Sequence, residues 1–562
     1  MSRKRSDKRK SSSTRAKTPT DQRKHASTGD TADARQVGAR AFARRARSAG
    51  RKPTVRSGRA SRGTTERFAS RLPAFRLHLV GALSHVPRAA WICALVACLN
   101  AACWSIVTPP FQVPDEPAHF AYVKQLAETG HLPSSNLELS SGEEFSALVA
   151  LRFYRVQFQP QHHTIASQAE QNQLQHDLVV ASQNSAPGSA DVGVAKSQPP
   201  LYYALQAIPY TLAQSGNLLD RLQLMRLLSA LMAGLTAMFV FLFIREALPG
   251  VRWAWTVGGL AVALAPLLGF ISGAVNPDAM LFAVSAATFY CLARAFRRGL
   301  STGGAVAIGL VTAIGLMTKL NFIGLVPGII IGVMVLSIRA ARVQGRSAYR
   351  LPAIAVAIAF SPVLPYAAVN ALSGHPTLGL LSTAIGSLHG SVLAEVNYIW
   401  QFYLPRLPGT VNDFPGLFTT RQLWFDRYVG LYGWLDTTFP GWVYSVALIP
   451  AGAIALLCGR ALFQARAALR TRAPEIGVYA VIGIGLLVLV GASSYASFPG
   501  VAAEFAEARY LLPMLALLGA VLALAARGAG RRWGPVVGAL IVVLFLSHDI
   551  FSLLQVTARY YG

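Results

Sequence analysis

Two adjacent carboxylates, Asp115 and Glu116, stand between prolines in the stretch Pro109-Pro110-Phe111-Gln112-Val113-Pro114-Asp115-Glu116-Pro117-Ala118-His119-Phe120, directly after the first long apolar run, Ala89 to Val107. Charge so close to hydrocarbon is costly and marks a task. A carboxylate there can take a proton from a hydroxyl, and its neighbour can orient a substrate or bind a cation. Pro117 suits the first turn of a helix, and Ala118 to Glu128 reads as a helix stopped by Gly130 and Pro133. The acidic pair then lies at the positive end of that helix, with His119 one turn on. A helix cap on a solvated loop would use the same residue types, so the pair alone leaves both readings open.

Further polar residues sit where apolar runs begin or end. They are Tyr202 and Tyr203 in Gln198-Pro199-Pro200-Leu201-Tyr202-Tyr203, Asn276 and Asp278 in Asn276-Pro277-Asp278, Lys319, and Arg509 and Tyr510 in Glu507-Ala508-Arg509-Tyr510-Leu511-Leu512-Pro513. Lys319 and Arg509 suit an anionic phosphate, Arg as a fork and Lys as a point charge, or they anchor span ends by snorkelling. Between residues 371 and 440 aromatic side chains crowd together, including Trp434 two positions before Asp436. Rings of this kind build interfacial belts, and they also stack sugars. His162-His163 has no carboxylate or Cys at a recognisable metal spacing, and Cys93, Cys98 and Cys103 fall on different faces of one helix.

The elements that must hold these residues are membrane spans. The chain has 562 residues, 53% of them hydrophobic and only 14% charged, which is too apolar for a soluble multidomain protein. Eleven apolar runs are long enough to span, near 89–108, 226–245, 253–273, 277–295, 303–318, 321–338, 351–370, 441–459, 475–494, 510–526 and 534–552. The expected fold is an all-α polytopic membrane protein of about 11 helices. Basic linkers at 245–252, 294–298, 339–350, 460–472 and 527–532 recur after every second run and share a side with the basic N-terminus, which makes that side cytoplasmic.

The outer side then receives residues 109–225, the 276–278 and 319–321 turns, 371–440 and 495–509, so every candidate residue falls outside. Leu201 to Ala213, at about 13 residues and with Pro209, reads as an interfacial helix. The long first loop calls for short helices of its own, with Ser140 to Asp191 mobile at its centre. Residues 1–88 hold 24 Lys or Arg against 5 Asp or Glu, or +19 of the formal +27. This tail has the composition of a disordered cytoplasmic segment whose partner is anionic lipid headgroups, with nucleic acid disfavoured. The domain division is thus 1–88 as tail and 89–562 as membrane domain.

Taken in order, the Pro-Asp-Glu segment after the first span, the Pro-Pro-Leu-Tyr-Tyr segment before the second and the Arg-Tyr-Leu-Leu-Pro segment late in the chain resemble the GT-C class of membrane glycosyltransferases. The motif Pro-Asp-Glu-Pro-x-His-Phe and the Gly433 to Asp436 stretch, Gly-Trp-Leu-Asp, resemble a bacterial polytopic membrane-protein family grouped with that class. The resemblance covers roughly residues 89 to 526, and it lacks the soluble C-terminal domain of better-known members. It implies transfer of a hexosyl or pentosyl group from a polyprenyl-phosphate-linked donor to a cell-envelope glycan or lipid acceptor, at the outer face of a bacterial cytoplasmic membrane. It further implies Asp115 and Glu116 as catalytic residues, with His119, Tyr202, Tyr203, Asn276, Asp278, Lys319, Trp434, Asp436, Arg509 and Tyr510 binding substrate. No cofactor is certain, and a divalent cation is left open. A flippase of a lipid-linked saccharide and a non-catalytic membrane organiser are the alternatives. The flippase is disfavoured because the spans are nearly free of charge.

Overall fold

The computed structural model describes residues 86–133, 141–184, 195–372, 391–414, 419–497 and 507–562, all within one compact unit, Leu77–Gly562. The reading of the basic tail lies outside the described residues, as do residues 134–140, 185–194, 373–390, 415–418 and 498–506 of the loops expected outside.

The chain is a helical membrane protein. Among the described residues nine helices are long and apolar enough to cross a membrane: Arg88–Val107, Leu218–Ala247, Asp278–Arg298, Leu320–Gln344, Arg346–Leu372, Gly441–Gln464, Ala473–Ala496, Ala508–Gly528 and Gly530–Tyr561. A tenth is the pair Arg252–Ala263 and Pro266–Ser272, bent by 53°. Pro266 opens its second piece, where the ring removes a backbone donor and breaks the run. The shorter Thr302–Thr318 occupies the place of the remaining expected span. All eleven apolar runs are therefore helices. The second and last reach well beyond their expected limits, at 30 and 32 residues.

Packing follows small residues. The buried stripe Ala90, Cys93, Ala97, Ala101 and Trp104 of the first span recurs at three or four residues and lies against Leu218–Ala247. A Cβ on Gly234 would come within 2.9 Å of the Ala94 carbonyl oxygen, so glycine is required for the two backbones to meet.

The bundle has two unlike ends. At one, Arg297 and Arg298 share the buried Glu246 at 2.9 and 2.5 Å, and Arg472 donates to the Ala247 carbonyl while pairing with Glu475 at 2.7 Å. At the other, Arg559 near the chain's end donates to the carbonyls of Val156, Gln159 and His162 and pairs with Asp436 at 2.8 Å. Both long loops and the last helix therefore meet on one face, opposite the basic linkers.

Within the first long loop, Glu116–Thr129 is the expected helix, closed by Gly130 in the left-handed conformation. Leu201–Leu212 is too short to span and packs against Leu218–Ala247 and Glu116–Thr129, with Tyr202, Tyr203, Gln206 and Tyr210 buried. At the centre of the loop Gln168–Ser182 is one of the expected short helices. Ser167 and Glu170 make a reciprocal capping box whose Ser-x-x-Glu signature is present in the sequence.

Candidate functional site

Asp115 and Glu116 are neighbours that do different things. Glu116 is wholly buried, and Arg226 grips it through Nε to Oε1 at 2.8 Å and Nη2 to Oε2 at 2.6 Å. The backbone N–H groups of Phe111 and Val275 donate to the same carboxylate at 2.9 and 3.0 Å. Arg226 spends its remaining donors on the carbonyls of Ser105, Thr108 and Pro109, which the end of the first span leaves without helical partners. All five guanidinium N–H groups are engaged, and Glu116 accepts four hydrogen bonds. Glu116 was expected to be catalytic, yet it has no oxygen left for a substrate or cation. It pins the first span, the second span and the turn after the broken span around the acidic segment.

Asp115 occupies the N-cap position of Glu116–Thr129, but its side chain makes no capping bond and its φ is +67°. The capping reading is thereby set aside. A non-glycine residue in this region is uncommon and is held there by its surroundings. The Asp115 carboxylate instead meets Arg509 Nη2 at 2.6 Å, and 30% of its side chain stays exposed. Among the described residues its other oxygen has no hydrogen bond from the protein.

Arg509 is 2% exposed and gathers three carboxylates. Besides Asp115, Glu507 lies 3.0 Å from Nη2 and Asp278 lies 3.8 Å from Nε. That last pair stops short of a hydrogen bond, and Arg509 Nε and Asp278 Oδ2 are both buried without a partner. Lys319 Nζ meets the other Asp278 oxygen at 2.7 Å. Lys319 is reachable because the chain turns extended there, between Thr302–Thr318 and the tight turn Leu320–Leu325. Asn276 fixes the start of the Asp278 helix by accepting from the Asp278 N–H at 2.9 Å and donating to Pro114 at 3.4 Å. The Tyr510 ring lies 5.3 Å from the Arg509 guanidinium carbon.

Charge sets the protonation of this cluster. Burial raises the Asp115 carboxyl, but Arg509 and Lys319 outweigh it and hold the group below its usual range. His119 is driven by burial down to about 3, against the pull of Asp115, so near neutral pH it is an uncharged imidazole and adds nothing to that depression. Its Nδ1 lies 3.0 Å from Tyr203 Oη, and burial keeps that phenol protonated and able to donate. Burial pushes Glu507 up to about 7, with Arg509 opposing and Asp115 and Asp278 adding to the rise. Two cations cannot balance three ionised carboxylates in one place, and Glu507 is the one that yields.

The structure thus unites Asp115, His119, Tyr203, Asn276, Asp278, Lys319, Arg509 and Tyr510. It does not bring Tyr202 there, since that hydroxyl is bound to Ser229 and Gln206. Asp436 is likewise apart, locked to Arg559 with both side chains 5% exposed. Trp434 reaches only the backbone of the acidic segment, donating to the Phe111 carbonyl at 3.0 Å. Arg226, Glu507 and Arg559 were not among the expected site residues: Arg226 holds Glu116, Glu507 joins Arg509, and Arg559 keeps Asp436 apart. An arginine inside an apolar run demands a buried partner, and that signal could have found Arg226. Among the described residues no group of three or more His, Cys, Asp or Glu is placed to hold a metal ion.

A family model described as predicted membrane protein (DUF2142) matches residues 98–518, and the chain belongs to that family. No curated protein matches its sequence. Among solved structures it is similar to the apo form of the Archaeoglobus fulgidus oligosaccharyltransferase, at 11% identity and a TM-score of 0.39 over 84% of this chain. It spans 56% of that chain's length, and so distant a likeness says nothing of what the protein acts on.

Proposed function

We propose that this DUF2142 membrane protein is a GT-C-like glycosyltransferase that moves a sugar from a polyprenyl-phosphate-linked donor to a cell-envelope acceptor at the outer face of the cytoplasmic membrane. The observation that carries the reading is the half-open Asp115–Arg509 pair, backed by Asp278 and Lys319, on the face where both long loops meet. The basic linkers at the opposite end support the cytoplasmic assignment of that end.

In the proposed reaction the acceptor oxygen attacks the anomeric carbon of the donor, the bond to the phosphate oxygen breaks, and polyprenyl phosphate departs. Arg509 and Lys319 hold that phosphate. Asp115 takes the acceptor proton. A carboxylate held below its ordinary range is a weak base, but an incoming phosphate neutralises the cations that depress it. Donor binding thereby raises the basicity of Asp115 when it is needed. Glu116 and Arg226 position the segment without touching substrate. A flippase would place its ionic groups along the path through the spans, whereas this cluster lies at one end.

Asp115→Asn tests the reading. Release of polyprenyl phosphate from a panel of polyprenyl-phosphate sugars should fall by roughly 10²-fold or more, the scale of general-base catalysis, in a protein of unchanged monodispersity. Near-normal release would remove Asp115 from the chemistry.

A further inference from the structure

The second outer loop contains two adjoining cavities, of about 460 and 620 Å³, which share Thr419 and Arg421 in their walls. Each falls within the about 300–1,000 Å³ range of small-molecule sites. Their linings mix hydrogen-bonding side chains such as Gln401, Asn412 and Gln422 with the rings of Phe414 and Tyr444. Positive charge prevails at the accessible positions, where Arg406 and Arg421 line the cavities with Asp426, while Arg427 stands buried in the wall with contacts of its own. Arg421 spends Nε on Asp426 at 3.1 Å but keeps 42% of its side chain exposed. Its segment, Arg421–Asp426, is a π-helical turn, a rare conformation found mostly at functional positions.

The far wall belongs to the hairpin that pairs Leu431–Tyr432 with Thr437–Thr438. Leu431, Leu435 and Thr438 face the larger cavity, while Trp434 on the same turn donates to Phe111, four positions before Asp115. One short hairpin therefore separates the trough from the acidic segment.

We infer that this trough is a binding site for an acidic glycan, a hydroxyl-rich chain bearing carboxylate or phosphate groups. Its place as the acceptor subsite rests on the transfer reading above. Guanidinium forks match carboxylate and phosphate oxygens, and side-chain amides match sugar hydroxyls. A neutral glycan would have no use for the excess of arginine.

Equilibrium binding to the full chain in detergent, without turnover, tests the site separately from catalysis. The probes are oligogalacturonate, a poly(glycerol phosphate) oligomer and, as the neutral comparison, a malto-oligosaccharide. At least one acidic probe should bind at least tenfold more tightly than the neutral one and weaken with salt. Arg421→Ala and Arg406→Ala, both at exposed positions, should each cost that probe tenfold, Arg421→Lys less, and Asp115→Asn nothing. Equal affinity for neutral and acidic probes, no binding of either acidic probe, or unchanged binding in both arginine variants would overturn the site. Transfer that survives Asp115→Asn while acidic binding holds would overturn only the catalytic reading.

Discussion

Adjacent carboxylates with opposite circumstances are the most informative contrast in the molecule. Glu116 has no exposure, a bidentate partner and four accepted hydrogen bonds. Asp115 is strained, 30% exposed at its side chain, and shares its one cation with two other carboxylates. A saturated network holds geometry, because any change leaves a charge unpaired. An unsaturated one keeps an oxygen and a cation available to something that arrives.

The largest test of this contrast falls on the saturated side. Glu116→Gln leaves the Arg226 guanidinium buried without a counter-charge, and breaking such a pair costs about 3–5 kcal/mol. Thermal unfolding in detergent should drop sharply, whereas Asp115→Asn should lower it much less, because Arg509 keeps Glu507 and Asp278 as counter-charges. Replacing both partners, Glu116→Leu with Arg226→Met, should recover part of the loss. Equal destabilisation by the two single variants would erase the distinction between pin and reactive group.

On the open side, Arg509→Lys keeps the charge but removes the fork. Affinity for polyprenyl phosphate should fall roughly tenfold, about 1.4 kcal/mol, as one point charge cannot serve several oxygens at once. Unchanged affinity would make Arg509 a structural counter-charge only.

Much of this arrangement was legible in the chain. Apolar length and the spacing of basic linkers gave the helices and their alternation, because hydrocarbon thickness and charge cost act on composition directly. Lys319 and Arg509 meet through Asp278, since all three stand at helix ends. What could not be read was the division of labour between Asp115 and Glu116. It depends on Arg226, 110 positions away, and on which way a left-handed Asp115 turns its side chain. The displacement of Trp434 and Asp436 has the same origin, because their partners Phe111 and Arg559 are remote in sequence.

An effect of comparable size should come from pH. The Glu507 carboxyl titrates near 7 when folded and near about 4.3 when unfolded, so the folded protein binds the proton more tightly. Its contribution to stability is complete below pH of about 4 and is lost as pH rises through 7. Asp115, held low, acts oppositely: its contribution is present at neutral pH and lost only as acid takes the pH below the usual carboxylate range. Between about pH 5 and 8 Glu507 is opposed by His119, whose imidazole titrates at about 3 when folded and about 6.5 when unfolded and so adds stability as pH rises, each on the order of 1–3 kcal/mol. Melting temperatures across that window should stay nearly level in the native protein, where the two oppose, and rise with pH in Glu507→Gln, where only His119 remains. The same profile in both would remove Glu507 from the pH dependence.

The smallest expected effect concerns the tether between the hairpin and the acidic segment. As a sugar platform Trp434 would offer a ring face, which phenylalanine also has. As a tether it offers Nε1–H to the Phe111 carbonyl, which phenylalanine lacks. Its ring is already flanked edge-on by Phe153 and Phe158, with centroids at 5.7 and 5.6 Å, so aromatic packing survives the exchange. Trp434→Phe should then cost about 1 kcal/mol of stability, the worth of one hydrogen bond. Because Phe111 itself stands at φ +64° and donates its N–H to Glu116, loosening its carbonyl should also reach the pinned segment. Hydrogen exchange at residues 109–116 should quicken in this variant. Unaltered exchange there, with weaker binding of a sugar probe, would return Trp434 to the role of a sugar-stacking surface.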